Sequence, residues 1–598
     1  MKDKNLLQVI KVLPGLFLLF LCVSSLTLTV FTTLQCYSYQ PVGDTWSNPY
    51  LFEQYFSGKN IWPIVLELHN NAHLIAVPKL IYLLDAKISQ GSGFIIATSS
   101  LLFMAVGILA CVALLFRDKT LTKTEKVIFS LLATLMLGSI LQAESLINPS
   151  NLQWSALVAG ILCSAFFFSG RAENLKHLYS LGGALSLLLA LGSSLNLSVL
   201  FVAVLFVFVI NRPNWLKRLL LGSMIFLVVF FIWETLNTAV FSVHEPFIIK
   251  VYRMLYEEKT AGAADLAPMV SYLHSLGFLS QLMIAGKFLL SLGWFLTPPL
   301  KYFLPDAFIL FITIGILFLL YRLLTSERQL TSTDKAMLFV VLVCFFTACA
   351  ASLFRLFVPD AYTLRFANIG LLFLFSFAFL VYKSLPQKMT VRSLYVLCFS
   401  GYLAISVWHA WQVANEWVKG QNHIRLSQIA YSLDVQQPGI VVENPYSAWV
   451  DDAFDFISRN KYHLKKWQLG IYSDEAYRVY SDFSGLPQKT TDCQIEVRQI
   501  KKFKRDRNAY QLVFSVEKNN NFKNPQSLRA VFVNDQLKPL GYARPLNEAG
   551  VKQQILAPGQ LIGGFLHIPP YSSKTIRVFV FDTDYQCDAA LLEMEKSS

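Results

Sequence analysis

Long apolar runs separated by short polar loops fill the first two thirds of the chain, and alternating apolar and polar positions take over in the last third. Runs of about 16 to 24 mostly apolar residues are long enough to cross a hydrocarbon core of about 30 Å as helices. They start near Leu13, Phe94, Val127, Trp154, His177, Leu195, Arg218, Asp306, Ala336, Phe366 and Arg392. The pattern predicts an α-helical polytopic membrane bundle of about 11 spans over 1–412. The tail, 413–598, opens with helix-compatible sequence at Ala453–Ile457. It then alternates at Gln494–Ile500, Tyr510–Val516 and Ile576–Phe581, which predicts a mainly β soluble domain of sandwich-like form.

Orientation follows from the loops. With the N-terminus inside, Lys2, Lys4, Lys11, Arg117, Lys119, Lys123, Lys126, Arg322, Arg328, Lys335, Lys383, Lys388 and Arg392 all face the cytoplasm, as the positive-inside rule requires. The stretch 282–302 is interrupted by Gly293 and Pro298-Pro299. If it crossed, the later basic loops would lie outside, so it is expected to be re-entrant or interfacial. The first run lacks a small-residue cleavage site and is expected to remain as an anchor. The regions left outside are 35–92, 240–304 and everything after 412.

Composition sharpens this picture. Of 598 residues 54% are hydrophobic and 15% charged, against about 25% charged in a soluble domain, which excludes a soluble globular protein. The formal charge of +13 is spread over short loops, without the concentrated stripe that nucleic acid requires, so no nucleic-acid partner is expected. Most of the nine cysteines lie in or near spans and suit apolar packing. Cys493 and Cys587 flank the β region and would face an oxidising compartment, where a disulfide between them is expected.

The candidate chemistry lies in the outer regions. Asp44 follows the first span by about ten residues, with Trp46 and Tyr50 as interfacial aromatics. A carboxylate at that depth can take the proton of an acceptor hydroxyl. The same loop carries Glu53, His69, Asn70, His73 and Lys79. His69 and His73, four apart, would share a helix face. They could ligate a divalent metal, but His-Asn-Asn-Ala-His lacks the built-in base of a His-Glu-x-x-His site, and no cofactor is assigned. Arg253 and Arg365, in later outer segments, have the planar fork that grips two phosphate oxygens. Glu53, His69, Asn70, His73, Lys79, Arg253 and Arg365 therefore form the candidate substrate-binding set, with Asp44 as the candidate catalytic base.

The order of spans, the long first loop with Asp44 and Asn71-Ala72-His73-Leu74, and the outer segment from Tyr362 to Arg365 together resemble the GT-C class of integral-membrane glycosyltransferases, in particular bacterial members. Ala72 stands where such members more often carry Glu. The resemblance implies transfer of a sugar from a polyprenyl-phosphate carrier to a cell-envelope glycan, lipid or protein on the periplasmic side of the bacterial inner membrane. Two other readings are open at this level. A lipid-linked glycan polymerase or ligase would place its essential groups in the second outer loop. A transporter or flippase predicts inverted repeats and ionisable groups in mid-membrane, whereas these spans are nearly free of charge.

Overall fold

The computed structural model describes residues 2–37, 48–66, 68–69, 73–147, 151–170, 176–193, 199–200, 203–204, 224, 278–298, 300–325, 330–354, 366–386, 389–433, 435, 461–502, 508–517, 521–522, 527–546, 560–568 and 575–593. Asp44, Asn70, Arg253 and Arg365 lie outside the described residues, as do the runs predicted from Leu195 and Arg218 in nearly all their length.

The chain is mostly helical. Its helices are α1 (Lys2–Cys36), α2 (Asn48–Phe56), α3 (Trp62–Val65), α4 (Ala76–Ile88), α5 (Phe94–Arg117), α6 (Lys123–Leu137), α7 (Ala143–Ile147), α8 (Leu152–Phe168), α9 (Lys176–Leu191), α10 (Phe278–Leu296), α11 (Asp306–Thr325), α12 (Ser332–Phe354), α13 (Ala367–Ser384), α14 (Met389–Ser432) and α15 (Glu475–Ser481). Six helical stretches among the described residues are long and apolar enough to cross a membrane: Gly15–Cys36, Phe94–Arg117, Lys123–Ile147, Asp306–Thr325, Ser332–Ser352 and Ala367–Ser384. Leu152–Phe168, Lys176–Leu191 and Ala285–Leu296 are shorter apolar helices. Six of the eleven predicted runs thus fall on full-length candidates among the described residues.

Helix α10 departs from the broken segment expected at 282–302. It runs unbroken through Gly293 and stops at the prolines, where a 3-10 turn, Leu300–Tyr302, leads into α11. Glycine is needed at 293 for packing: a Cβ there would collide with Thr313 Oγ1 and Ile309 of α11. Gly370 of α13 similarly admits the Phe295 carbonyl at the end of α10.

Antiparallel packing gives the bundle two unlike ends. At one, Lys383 at the end of α13 lies between Asp118, after α5, and Asp334 at the start of α12, with its ammonium 2.6 Å from each carboxylate. All three side chains are 5% exposed or less. Asp334 also forms a reciprocal cap with Thr331, and Glu125 one with Thr122. Tyr382 donates to Glu125, which Arg392 of α14 also approaches. This basic end gathers the loops around Arg117, Lys123, Lys335 and Lys383.

The opposite end carries the segment 48–93 and the β domain. Helix α14, at 44 residues, would be about 66 Å long, twice the hydrocarbon thickness, and its last turns support the sheet. Leu426 packs against Val513, Leu546 and Leu561. Arg425 donates to the Pro545 carbonyl, and the Ser432 and Tyr542 hydroxyls are 2.6 Å apart.

The β domain is one sheet of eight strands, ordered β3-β10-β9-β6-β7-β8-β5-β4, rather than the two facing sheets of a sandwich. Its strands are β3 (Lys489–Thr490), β4 (Ile495–Lys502), β5 (Ala509–Val516), β6 (Arg529–Val533), β7 (Pro539–Pro545), β8 (Gln560–His567), β9 (Thr575–Phe581) and β10 (Tyr585–Glu593). Among the described strands only β3 and β10 pair in parallel. The edge strands β3 and β4 are consecutive in the chain. Thr490 to Ile495 can span at most about 17 Å, while a flat sheet would part its edges by about 34 Å, so the sheet curls until its edges approach. Leu512, Phe514, Phe532, Ile562, Leu566 and Val580 fill the roll. Cys493, just before β4, is joined by a disulfide to Cys587 of β10, stapling the two edges.

Candidate functional site

Segment 48–93 is a built layer. After α3, Leu68–His69 and His73–Leu74 pair as a minimal antiparallel hairpin, β1 and β2, with His69 opposite His73. The two histidines are therefore cross-strand neighbours, not partners on one helix face. A four-residue spacing serves an i,i+4 helix pair and two antiparallel strands equally well, and the strand pairing prevailed here.

Helix α4 is two-faced. Pro78, Lys79, Tyr82, Leu83, Asp85 and Ala86 are buried, whereas Leu80, Leu84 and Ile88 are exposed at 41%, 45% and 62%. Three large aliphatic residues at i, i+4 and i+8 make a stripe that water would not retain and lipid would. On the buried side the Lys79 ammonium donates to the Ile64 carbonyl at 2.6 Å, pinning α3 to α4. Asp85 is buried and accepts from Ser89 Oγ and from the backbone N–H groups of Gly93 and Ile95, which caps the start of α5. Burial pushes its carboxyl above the usual range, against those hydrogen bonds. Gly91 and Gly93 supply the left-handed backbone of the intervening turn.

Glu53 of α2 is committed to the C-terminal region. Its carboxylate accepts from Lys466 Nζ at 2.7 Å and Trp467 Nε1 at 2.5 Å, with His463 Nδ1 at 3.4 Å and Ser57 Oγ at 3.2 Å. The hydrogen bond from Lys466, followed by that from Trp467, lowers its carboxyl to about 2. Phe56 stacks on Trp467 at 5.2 Å between centroids. Glu53 thus clamps the first loop to the β domain, a part that proposing it as a substrate ligand did not anticipate. The signal lay in Lys466-Trp467, a cation and an indole N–H side by side, but their partner is more than 400 residues away.

Below this layer the starts of α8 and α13 meet: Trp154 and Phe366 contact edge-to-face at 4.8 Å, and Phe295 at the end of α10 approaches Phe366 at 4.9 Å. Leu152 joins α8 to the cluster formed by Tyr82 and Leu83 of α4. Beside them, Trp408 and Trp411 of α14 and Tyr302 are exposed by about half, the aromatic pattern of a membrane boundary. The described layer thus holds Glu53, Lys79 and the His69–His73 hairpin. Arg365 directly precedes Phe366 in the chain. Among the described residues no group of three or more His, Cys, Asp or Glu could hold a metal ion.

No protein-family model, curated protein or solved structure matches the chain.

Proposed function

We propose that the chain is a membrane glycosyltransferase that moves a sugar from a polyprenyl-phosphate donor to a cell-envelope glycan, lipid or protein acceptor. In this reading the N-terminus is cytoplasmic, about eleven spans cross the bacterial inner membrane, and the β domain with the segment 48–93 is periplasmic. The observation that carries it is the two-faced α4. Its Leu80-Leu84-Ile88 stripe is suited to lipid while its other face is held in protein, so the loop with the candidate residues lies at a boundary that a lipid-linked donor can reach. The gathering of Arg117, Lys123, Lys335 and Lys383 at the opposite end supports the orientation.

Asp44 acts as general base on the acceptor hydroxyl. The acceptor oxygen attacks the anomeric carbon, the bond from that carbon to the phosphate oxygen breaks with its electron pair, the proton passes to Asp44, and polyprenyl phosphate leaves. A phosphate leaving group needs cationic donors more than a proton. Arg365 and Arg253 fill that role, and His69, Asn70 and His73 serve the sugar hydroxyls. Lys79 contributes positive charge from within the layer while it braces Ile64. Mass spectrometry of envelope glycans from cells with and without the chain tests the reading. A sugar lost on deletion and restored by the intact gene is expected; an unchanged glycan profile contradicts it.

A further inference from the structure

Residues 461–466 are helical, and the side chains around that helix face three ways. Leu464 is buried in the cluster of Leu51 and Tyr82. His463 and Trp467, four apart, both meet Glu53. At about 100° per residue, Lys465, Tyr462 and Lys466 share the arc that remains, roughly opposite Leu464. All three are exposed. Among the described residues after 432, Tyr462 is the one exposed aromatic ring, at 63%. The Lys466 ammonium is held 2.7 Å from Glu53 and 5.0 Å from the Trp467 ring. Phe56 stacks on Trp467, and exposed Lys59 follows Phe56 by three residues. Neither Lys59 nor Lys465 forms an ion pair among the described residues. The face therefore presents a flat ring between two ammonium groups, one of them fixed in place, with a third on the segment that Phe56 anchors here.

We infer that this face is a docking surface for an anionic glycan, the acceptor of the proposed reaction. A pyranose has a face of C–H bonds that packs on a ring such as Tyr462, whose hydroxyl end stays in water. Carboxylate or phosphate groups on the same sugar meet Lys465, Lys466 and Lys59. Charge complementarity calls for an anion, and the exposed ring calls for a sugar to carry it. A lipid surface is the poorer fit, because a helix that lies in the interface buries large apolar side chains there, and the arc of Lys465, Tyr462 and Lys466 has no aliphatic residue. The chain already has a lipid-suited face of the other kind in Leu80, Leu84 and Ile88 of α4. Orientation does not account for these lysines either, since they lie well beyond the last predicted span, where charge no longer sets topology. Each contact is weak at an exposed site, and a polymer that repeats the contact gains avidity. The inference deepens the glycosyltransferase reading and rests on it for the glycan's part as acceptor; binding of the glycan stands on the surface itself.

The test uses the full chain in phosphatidylcholine nanodiscs and measures affinity for tetragalacturonate, maltotetraose and tetraglutamate: sugar with acid, sugar without acid, and acid without sugar. Tetragalacturonate should bind about fivefold more tightly than either of the others, and added salt should erode that margin. Replacing both Lys59 and Lys465 by Gln should weaken it about threefold to tenfold, the range of two exposed charge contacts. Tyr462→Ala should weaken tetragalacturonate and leave tetraglutamate unchanged. Equal affinity for tetraglutamate, unchanged affinity for tetragalacturonate in the variants, or no binding at all overturns the surface. Anionic lipid is the rival occupant. Tyr462→Cys should react with a water-soluble maleimide equally fast in discs with and without phosphatidylglycerol; slowing by phosphatidylglycerol assigns the face to lipid and overturns the proposal. A chain that binds tetragalacturonate and transfers no sugar contradicts the glycosyltransferase reading and leaves the surface standing. One that transfers sugar without binding tetragalacturonate overturns the surface alone.

Discussion

Both ends of the helical bundle bury polar groups, and at the basic end the buried charges pair with one another. At the basic end Lys383, Asp118 and Asp334 are almost wholly buried and bonded to one another, and the neighbouring Glu125 is capped by Thr122 and held by Tyr382. At the other end Gln153, Trp154 and Asn368 are equally buried and each keeps an unpaired atom. A triad that satisfies itself ties three chain segments together. Atoms left unsatisfied destabilise the fold.

The largest effect on stability belongs to the paired end. Lys383→Met leaves two buried carboxylates facing each other, and breaking a buried pair this way typically costs about 3–5 kcal/mol. The unfolding midpoint in detergent should fall sharply and recover in large part when Asp118→Asn and Asp334→Asn are added. An unchanged midpoint for Lys383→Met would remove the contrast between the ends.

Next comes the staple of the rolled sheet. The Cys493–Cys587 disulfide closes a separation of 94 residues, so replacing both by Ala should destabilise the β domain by about 2–4 kcal/mol. Limited proteolysis should then cut within 489–593 while the helical signal in circular dichroism persists. A protease pattern identical to wild type would show that the roll holds without its staple.

The Glu53 clamp is smaller, because Lys466 is 40% exposed and solvent screens the pair. Glu53→Gln should loosen the first loop from the β domain by about 1 kcal/mol, read as faster hydrogen exchange across 48–56. The pH dependence has a definite sign. The carboxyl is lowered to about 2 from 4.5, so the clamp's contribution is complete above about 4.5 and disappears as pH falls through about 2. Glu53→Gln should abolish that loss at low pH, and a variant that retained the wild-type acid profile would exclude Glu53 as its source.

Least perturbing is the lipid-facing stripe of α4. Leu84→Cys should leave stability within about 0.5 kcal/mol and, in membranes, react with a lipid-soluble maleimide in preference to a membrane-impermeant one. Equal labelling by both reagents would take α4 out of the lipid boundary.

Much of this arrangement was legible in the chain because hydropathy is a one-dimensional property. The runs begun at Phe94, Asp306, Ala336 and Phe366 each fall on a helix of spanning length, and the alternation at 494–500, 510–516 and 576–581 falls on β4, β5 and β9. What escaped was set by tertiary contact. His69 and His73 share a spacing with a helix pair, and only the pairing of Leu68 with Leu74 decides for a hairpin. Gly293 reads as a break until Thr313 is placed against it. The Lys383 triad joins residues up to 265 positions apart, and a sandwich and a roll share the same alternating strands. Of the candidate site, the first loop was legible as a loop. The clamp at Glu53 was not, since it is not visible without knowing what the side chain meets.

The most direct test of the central claim is turnover by purified Asp44→Asn in lipid nanodiscs, supplied with polyprenyl-phosphate sugar and envelope acceptor. The substitution keeps size and hydrogen bonding and removes basicity, and a positioned base typically contributes about 100-fold to 10,000-fold. The account predicts wild-type donor affinity with transfer reduced by at least about 100-fold. A folded, inserted Asp44→Asn protein that transfers sugar at the wild-type rate would contradict it.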